Sequence, residues 1–273
     1  MNQFSHSTYA IDYAKLRVEL ARLRVPSDLI EAALGTLPEE IKGILIYGSR
    51  ARGDFQDHSD LDLLALVPRS TNSRKFDGSN VTCYTSEQLQ RASGTLFGMH
   101  IRRDGIVIID SDNELYRLLQ ELEDPDSVSL RKRIRHFSSI LEPTMTDRQE
   151  HLAGLCRLAR FLLRTAIYTK TLDEGPPCFS VRELAERFAD PALATILSSN
   201  PAITGEATLE QLDDLRARLR LTVGTPPSVF YSSLMTLVIG EWNSDREYAT
   251  LALHTMIDEN LQLHYSELSN VFL

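Results

Sequence analysis

The sequence predicts an α/β (α+β) domain with a small mixed sheet, followed by an all-α helical bundle. Three observations predict this. Short apolar runs at 44–47, 61–67, 80–85 and 105–109 alternate with helical or polar stretches up to about residue 123. Asp124-Pro125-Asp126 then interrupts the chain with residues that favour a break. Beyond that point almost every segment spaces its apolar residues as a helix does. The expected domains are therefore 1–124 and 125–273.

Taken in order, residues 8–23 carry apolar residues at helical spacing. Pro26-Ser27-Asp28 opens a second helix that ends near Gly35. Ile44 to Tyr47, after Gly43, is a buried strand. Gly48 to Gly53 turns into a short helix or loop, and Leu61 to Val67 is the second strand. Ser70 to Ser79 is a polar loop, Asn80 to Thr85 a third strand and Ser86 to Ala92 a helix. Gly105 to Ile109 is the fourth strand and Asn113 to Glu123 a helix. The expected helices of the second domain are 128–141, 146–170, 180–188, 191–198, 207–222, 228–240 and 244–266. Gly175-Pro176-Pro177, Pro201 and Gly224-Thr225-Pro226-Pro227 separate several of them. There are no internal repeats.

Of 273 residues, 42% are hydrophobic and 25% charged, the balance of an ordinary globular protein. The start, MNQFSHSTYAIDY, has neither the basic head nor the apolar core of a signal peptide. No apolar stretch is long enough to span a membrane. Cys83, Cys156 and Cys178 are odd in number and lack C-x-x-C spacing, so reduced thiols of a cytoplasmic protein are expected. The net charge of −9 is uneven: Val128 to Lys170 holds nine Lys/Arg against three Asp/Glu. That stripe suits a triphosphate or a polyanionic acceptor, or is a solvated helix face.

The chemistry concentrates in Gly48 to Leu63, GSRARGDFQDHSDLDL. In D-x-D on a strand, Asp60 and Asp62 project from one side. Two carboxylates so close repel unless a cation lies between them. Hard divalent cations such as Mg²⁺ favour oxygen ligands and commonly share them with phosphates. The Gly48-Ser49 turn offers backbone N–H groups to those phosphates, and Gly48 permits close approach because it lacks a Cβ. Together these residues make a metal–triphosphate site. Ser49 is a phosphate donor or a helix N-cap, roles that can coexist. Arg50 and Arg52 face different ways on a helix, and Arg52 is the one assigned to phosphate. Ser59 either donates to the carboxylate beside it or is a turn residue.

The run ILIYGSRARGDFQDHSDLDLLALV resembles the signature of the DNA polymerase β-type nucleotidyltransferases: a hydrophobic strand, G-S, a further G, then D-x-D. It is most similar to small bacterial members, the minimal and the aminoglycoside nucleotidyltransferases. The resemblance is firm over 42–67 and looser to about 112. It implies Mg²⁺ (or Mn²⁺) bridged by Asp60 and Asp62, an NTP substrate, and Ser49 on the terminal phosphates. It also implies a helical C-terminal domain that contacts the acceptor.

The third carboxylate departs from the pattern. Family members carry V-D-L-V-T-P-E-x-L on a neighbouring strand; here Val81-Thr82-Cys83-Tyr84-Thr85-Ser86-Glu87-Gln88-Leu89 matches, with Thr82 at the acid. Thr is a weak ligand beside a carboxylate. His100, Asp104 and Glu150 are candidates to fill the gap, although core and turn roles suit the first two better. On the expected helix 146–170, Arg157, Arg160 and Arg164 form a row at i, i+3 and i+7, assigned to nucleotide or acceptor, with ion pairing as the alternative. Arg131 and His136 have the R-x4-H spacing of a ribonuclease motif found in HEPN domains, inside a basic run where chance matches are easy.

The leading expectation is a nucleotidyltransferase that moves an NMP from an NTP to a hydroxyl of an RNA 3′ end, a protein or a small molecule. A toxin–antitoxin or phage-defence role, with a protein partner, fits small family members. The alternative is a weak or inactive nucleotide-binding, antitoxin-like partner, for which Thr82 speaks.

Overall fold

The structure is a computed structural model that describes residues 12–57, 59–76, 78–198, 204–228 and 231–257. The expected helical segments 8–11 and 258–266, together with Pro201, lie outside these residues. The chain divides into two compact units, Met1–Pro125 and Asp126–Leu273.

The first unit begins with α1 (Tyr13–Arg22) and α2 (Ser27–Thr36), followed by β1 (Gly43–Tyr47) and the five-residue α3 (Gly48–Arg52). Then come β2 (Leu61–Leu66), β3 (Arg74–Phe76), β4 (Ser79–Tyr84), α4 (Ser86–Gln90), α5 (Leu96–Asp104), β5 (Ile106–Asp110) and α6 (Glu114–Glu121). The sheet order is β3-β4-β2-β1-β5. β1 is antiparallel to both β2 and β5, whereas β2 and β4 are parallel. The sheet is small and mixed, as expected, but with a fifth strand. β3 falls in the segment read as a polar loop and pairs antiparallel with β4. A three-residue edge strand buries too little to leave an alternating pattern in sequence.

Side-chain alternation sorts the sheet into two faces. Ile44, Ile46, Leu61, Leu63, Ala65, Val81 and Cys83 pack with Leu16, Leu20, Ile30 and Ala33 of α1 and α2 in one core. The intervening positions, Tyr47, Asp62, Asn80, Thr82 and Tyr84 among them, face the other way. There Phe97 of α5 meets Tyr47 and Tyr84, with ring centroids 5.9 and 5.8 Å apart. α5 was not foreseen. The hydroxyl of Thr95 accepts from the N–H of Gly98 at 3.0 Å and starts it, and Gly98 within it weakens the sequence signal.

The regular secondary structure of the second unit is all helical among the described residues. Its longest helix, Leu152–Glu174, is buried along most of its length. Ser127–Phe137, Leu209–Val223 and Arg246–Ile257 pack on it. The expected helix 146–170 is two helices, Met145–Glu150 and Leu152–Glu174. They part at His151, whose backbone (φ −116°, ψ 26°) leaves helical geometry without Gly or Pro to mark it. Among the described residues, no helix is long and apolar enough to cross a membrane. All three cysteines are free and buried.

Candidate active site

β1 delivers the chain to the site and Gly48 turns it. Gly48 has φ +76°, a left-handed conformation that L side chains disfavour. A Cβ there would meet Asp62 Oδ2 at 2.7 Å, so backbone and carboxylate are in direct contact. The antiparallel register sets this, because Tyr47 and Asp62 are Cα partners. Gly53 (φ +79°) then closes α3, with no atom within 4 Å of its Cβ position.

Tyr47, not Ser49, is the N-cap of α3; Ser49 is the second residue within the helix. Of the two arginines on α3, Arg50 faces the acids. It is 2% exposed, stacks over Phe55, and donates from Nε and Nη2 to the Ser59 carbonyl at 3.1 and 2.7 Å. Burial lowers its pKa, opposed by the charges of Asp60, Asp28 and Asp62. Arg50 thereby fixes the backbone one residue before Asp60. The Ser59 hydroxyl accepts from the Gln56 N–H at 2.8 Å, which ties it into the turn.

Arg52, assigned from sequence to phosphate, points elsewhere. Its Nη1 lies 3.1 Å from His100 Nε2, and it pairs with Asp54 at 3.3 Å and Asp104 at 3.6 Å. The correction follows from the helix: a two-residue step turns the side chain towards α5. A guanidinium only donates, so His100 Nε2 accepts and its ring is neutral. Burial, then the charges of Arg52 and Arg103, hold the His100 pKa well below its ordinary value. Asp104 is the last residue of α5, and burial raises its pKa against the pull of Arg103 and Arg52.

The neighbouring-strand position beside the acids is a second correction. β4 runs parallel to β2 with Asp62 opposite Asn80 and Leu64 opposite Thr82. Asn80 therefore faces the pair. Its Nδ2 donates to Asp62 Oδ1 at 2.9 Å and lies 3.5 Å from Asp60 Oδ2. Thr82 is one step further along the same face, 4% exposed, with its hydroxyl 3.5 Å from the Tyr47 hydroxyl. Asn80 Oδ1 is buried and has no hydrogen-bond partner among the described residues. The alternation of 80, 82 and 84 was readable, but which of them stands level with Asp62 depends on the parallel register.

Among the described residues, no group of three or more His, Cys, Asp or Glu is arranged to hold a metal ion. The donor set is two carboxylates and an amide with an unused oxygen, all hard ligands suited to Mg²⁺ or Mn²⁺.

In the second unit, two members of the arginine row, Arg160 and Arg164, close a helix end. Arg160, 9% exposed, donates from Nε to the Ile196 carbonyl at 2.9 Å, and Arg164 donates to the Leu197 carbonyl. These are the last residues of helix Ala192–Ile196 and its cap, whose carbonyls need such donors. Arg157 is half-buried on the same helix face. Arg131 pairs with Asp173 and His136 with Asp245 (3.0 Å), so the two do not form one site. Glu150 ends its short helix.

The sequence model of the nucleotidyltransferase domain family matches residues 28–138, beyond the boundary expected at 124. Among solved structures, the chain is similar to a nucleotidyltransferase-like protein from Exiguobacterium sibiricum 255-15. Identity is 15% over 86% of this chain and 81% of that chain, with a TM-score of 0.28. No curated protein matches the chain.

Proposed function

We propose, from the match of residues 28–138 to the nucleotidyltransferase domain family, a Mg²⁺- or Mn²⁺-dependent transfer of an NMP from an NTP to an acceptor hydroxyl. The acceptor oxygen attacks the α-phosphorus, the bond from that phosphorus to the bridging β-oxygen breaks, and pyrophosphate leaves. The hydroxyl proton passes to a base. Asp60 and Asp62 would hold the cation, which would supply charge stabilisation at the phosphates. Gly48 and Ser49 meet the phosphates, and Arg50 and Ser59 position the loop that carries Asp60. One observation carries the reading: the Asp62 carboxylate is seated against the glycine turn and accepts from the Asn80 amide, whose Nδ2 also lies near Asp60.

In this reading residues 1–124 do the nucleotide chemistry and residues 125–273 meet the acceptor, an RNA 3′ end, a protein or a small molecule in the cytoplasm. The helical part suits a protein partner, as in a toxin–antitoxin or phage-defence pair. A second reading, a nucleotide-binding protein with weak or no transfer, is favoured by the amide in place of a third carboxylate.

Transfer of label from each α-³²P NTP into a bacterial lysate, with Asp62→Asn as control, tests this. Label in one fraction that vanishes in the variant supports the transferase and identifies the acceptor class. NTP binding without transfer in any fraction leaves the second reading standing and rejects the first.

A further inference from the structure

The Asn80 side chain does two things at once: its Nδ2 lies between the two carboxylates, and its Oδ1 is buried without a partner among the described residues. A buried acceptor left unmade is costly. An amide keeps nearly the same shape after a half-turn about its terminal torsion, which is broad and two-fold, so its oxygen and its NH₂ group can exchange places. Turned over, the same atoms present a carbonyl oxygen to the space between Asp60 and Asp62.

We propose that Asn80 is the third ligand of the divalent cation at this site, donating to the carboxylates when they are bare and turning its Oδ1 to the cation when it binds. This rests on the reading of Asp60 and Asp62 as cation ligands. The physical logic is a change in the sign of the charge the amide faces. Two bare carboxylates attract the partly positive NH₂ group, which screens their repulsion. A divalent ion between them repels that group and attracts the carbonyl oxygen, a ligand type that such ions accept. The parallel β2–β4 register keeps Asn80 level with Asp62 in both states. An amide also lowers the ligand charge relative to a third carboxylate, so the empty site is less repulsive and its cation less tightly held.

Mn²⁺ binding to the full chain, measured by the loss of free-ion EPR signal without nucleotide, tests the assignment. Asn80→Ala is expected to weaken Mn²⁺ on the order of 10–100-fold, and Asn80→Asp to tighten it. If the amide only donates to the carboxylates, Asn80→Ala frees them and binding is unchanged or tighter, which overturns the inference. In the wild type, addition of Mg²⁺ is expected to shift the Asn80 side-chain amide protons as they leave their hydrogen bond. An unmoved amide signal with Mg²⁺ bound also overturns it, whatever the folding of the Ala variant. Wild-type protein that binds no Mn²⁺ overturns this inference together with the cation role of Asp60 and Asp62. Binding that is lost in Asp62→Asn but indifferent to Asn80→Ala removes this inference alone.

Discussion

Gly48→Ala and Gly53→Ala form a matched pair, because the two glycines share a backbone conformation and differ in what a methyl group meets. Both have φ near +78°, at +76° and +79°. Placing an L residue there costs about 1–2 kcal/mol in either case. At Gly53 the new Cβ enters open space, so the backbone cost is the whole effect. At Gly48 it arrives 2.7 Å from Asp62 Oδ2, against 3.4 Å for ordinary contact. The carboxylate must move by roughly half an ångström or more, and misplacement on the order of 1 Å at a reacting centre costs roughly 100-fold. Urea unfolding should therefore show losses of about 1–2 kcal/mol in both variants, somewhat larger for Gly48→Ala. Calorimetry with Mg²⁺ and a non-hydrolysable NTP should separate them: Gly53→Ala binds as the wild type does, and Gly48→Ala weakens on the order of 10–100-fold. Equal affinities in the two variants would refute the claim that the glycine turn seats Asp62.

Asp60→Asn and Asp62→Asn should each abolish label transfer while changing stability by less than about 1 kcal/mol, since both groups are half-exposed; a large stability loss would assign them a structural role. Arg50→Lys removes the two-pronged donation to the Ser59 carbonyl, with an expected loss of about 1–3 kcal/mol by urea unfolding and weaker nucleotide binding; unchanged values would dismiss Arg50 as the anchor of that loop. Arg160→Ala should destabilise the chain yet leave NTP affinity intact, because the guanidinium holds a helix end; a selective loss of NTP binding would restore the arginine row to the nucleotide. His100 is held neutral by burial, its folded pKa lying well below the ordinary 6.5. The unfolded chain takes up the proton first, so the contribution of His100 is complete above about pH 6.5 and falls by up to about 1.4 kcal/mol per pH unit below it. His100→Gln should flatten the unfolding free energy between pH 6.5 and 5, while Asp104, whose pKa burial raises, titrates in the opposite sense. A variant profile as steep as the wild type would exclude His100 as the source.

The strands and most helices were legible because their burial is periodic, and the acidic pair because D-x-D at a strand start fixes both side chains on one face. What failed depended on partners distant in sequence. Strand alternation puts Asn80 and Thr82 on one face, and only the register between β2 and β4, a property of two segments, brings Asn80 level with Asp62. Arg52 was preferred over Arg50 because a five-residue helix does not announce its orientation. The row at Arg157, Arg160 and Arg164 was visible as a stripe, yet the helix end that takes up Arg160 and Arg164 lies more than thirty residues away. β3 and α5 were missed because one is three residues long and the other carries an internal glycine.

The three buried thiols give the chain a set of internal clocks. Cys83 lies on β4, three residues from Asn80, and burial raises its pKa; burial holds Cys156 and Cys178 higher still, at about 11. A thiol is modified through its thiolate and only when reagent can reach it. Each cysteine is thus silent while its surroundings stay closed, and its modification rate reports how often they open. Cys83 times the opening of the sheet that carries the acidic pair, while Cys156 and Cys178 time the helical unit. Adding Mg²⁺ and nucleotide should slow the first clock by the free energy of binding, giving a readout of site occupancy that needs no knowledge of the acceptor.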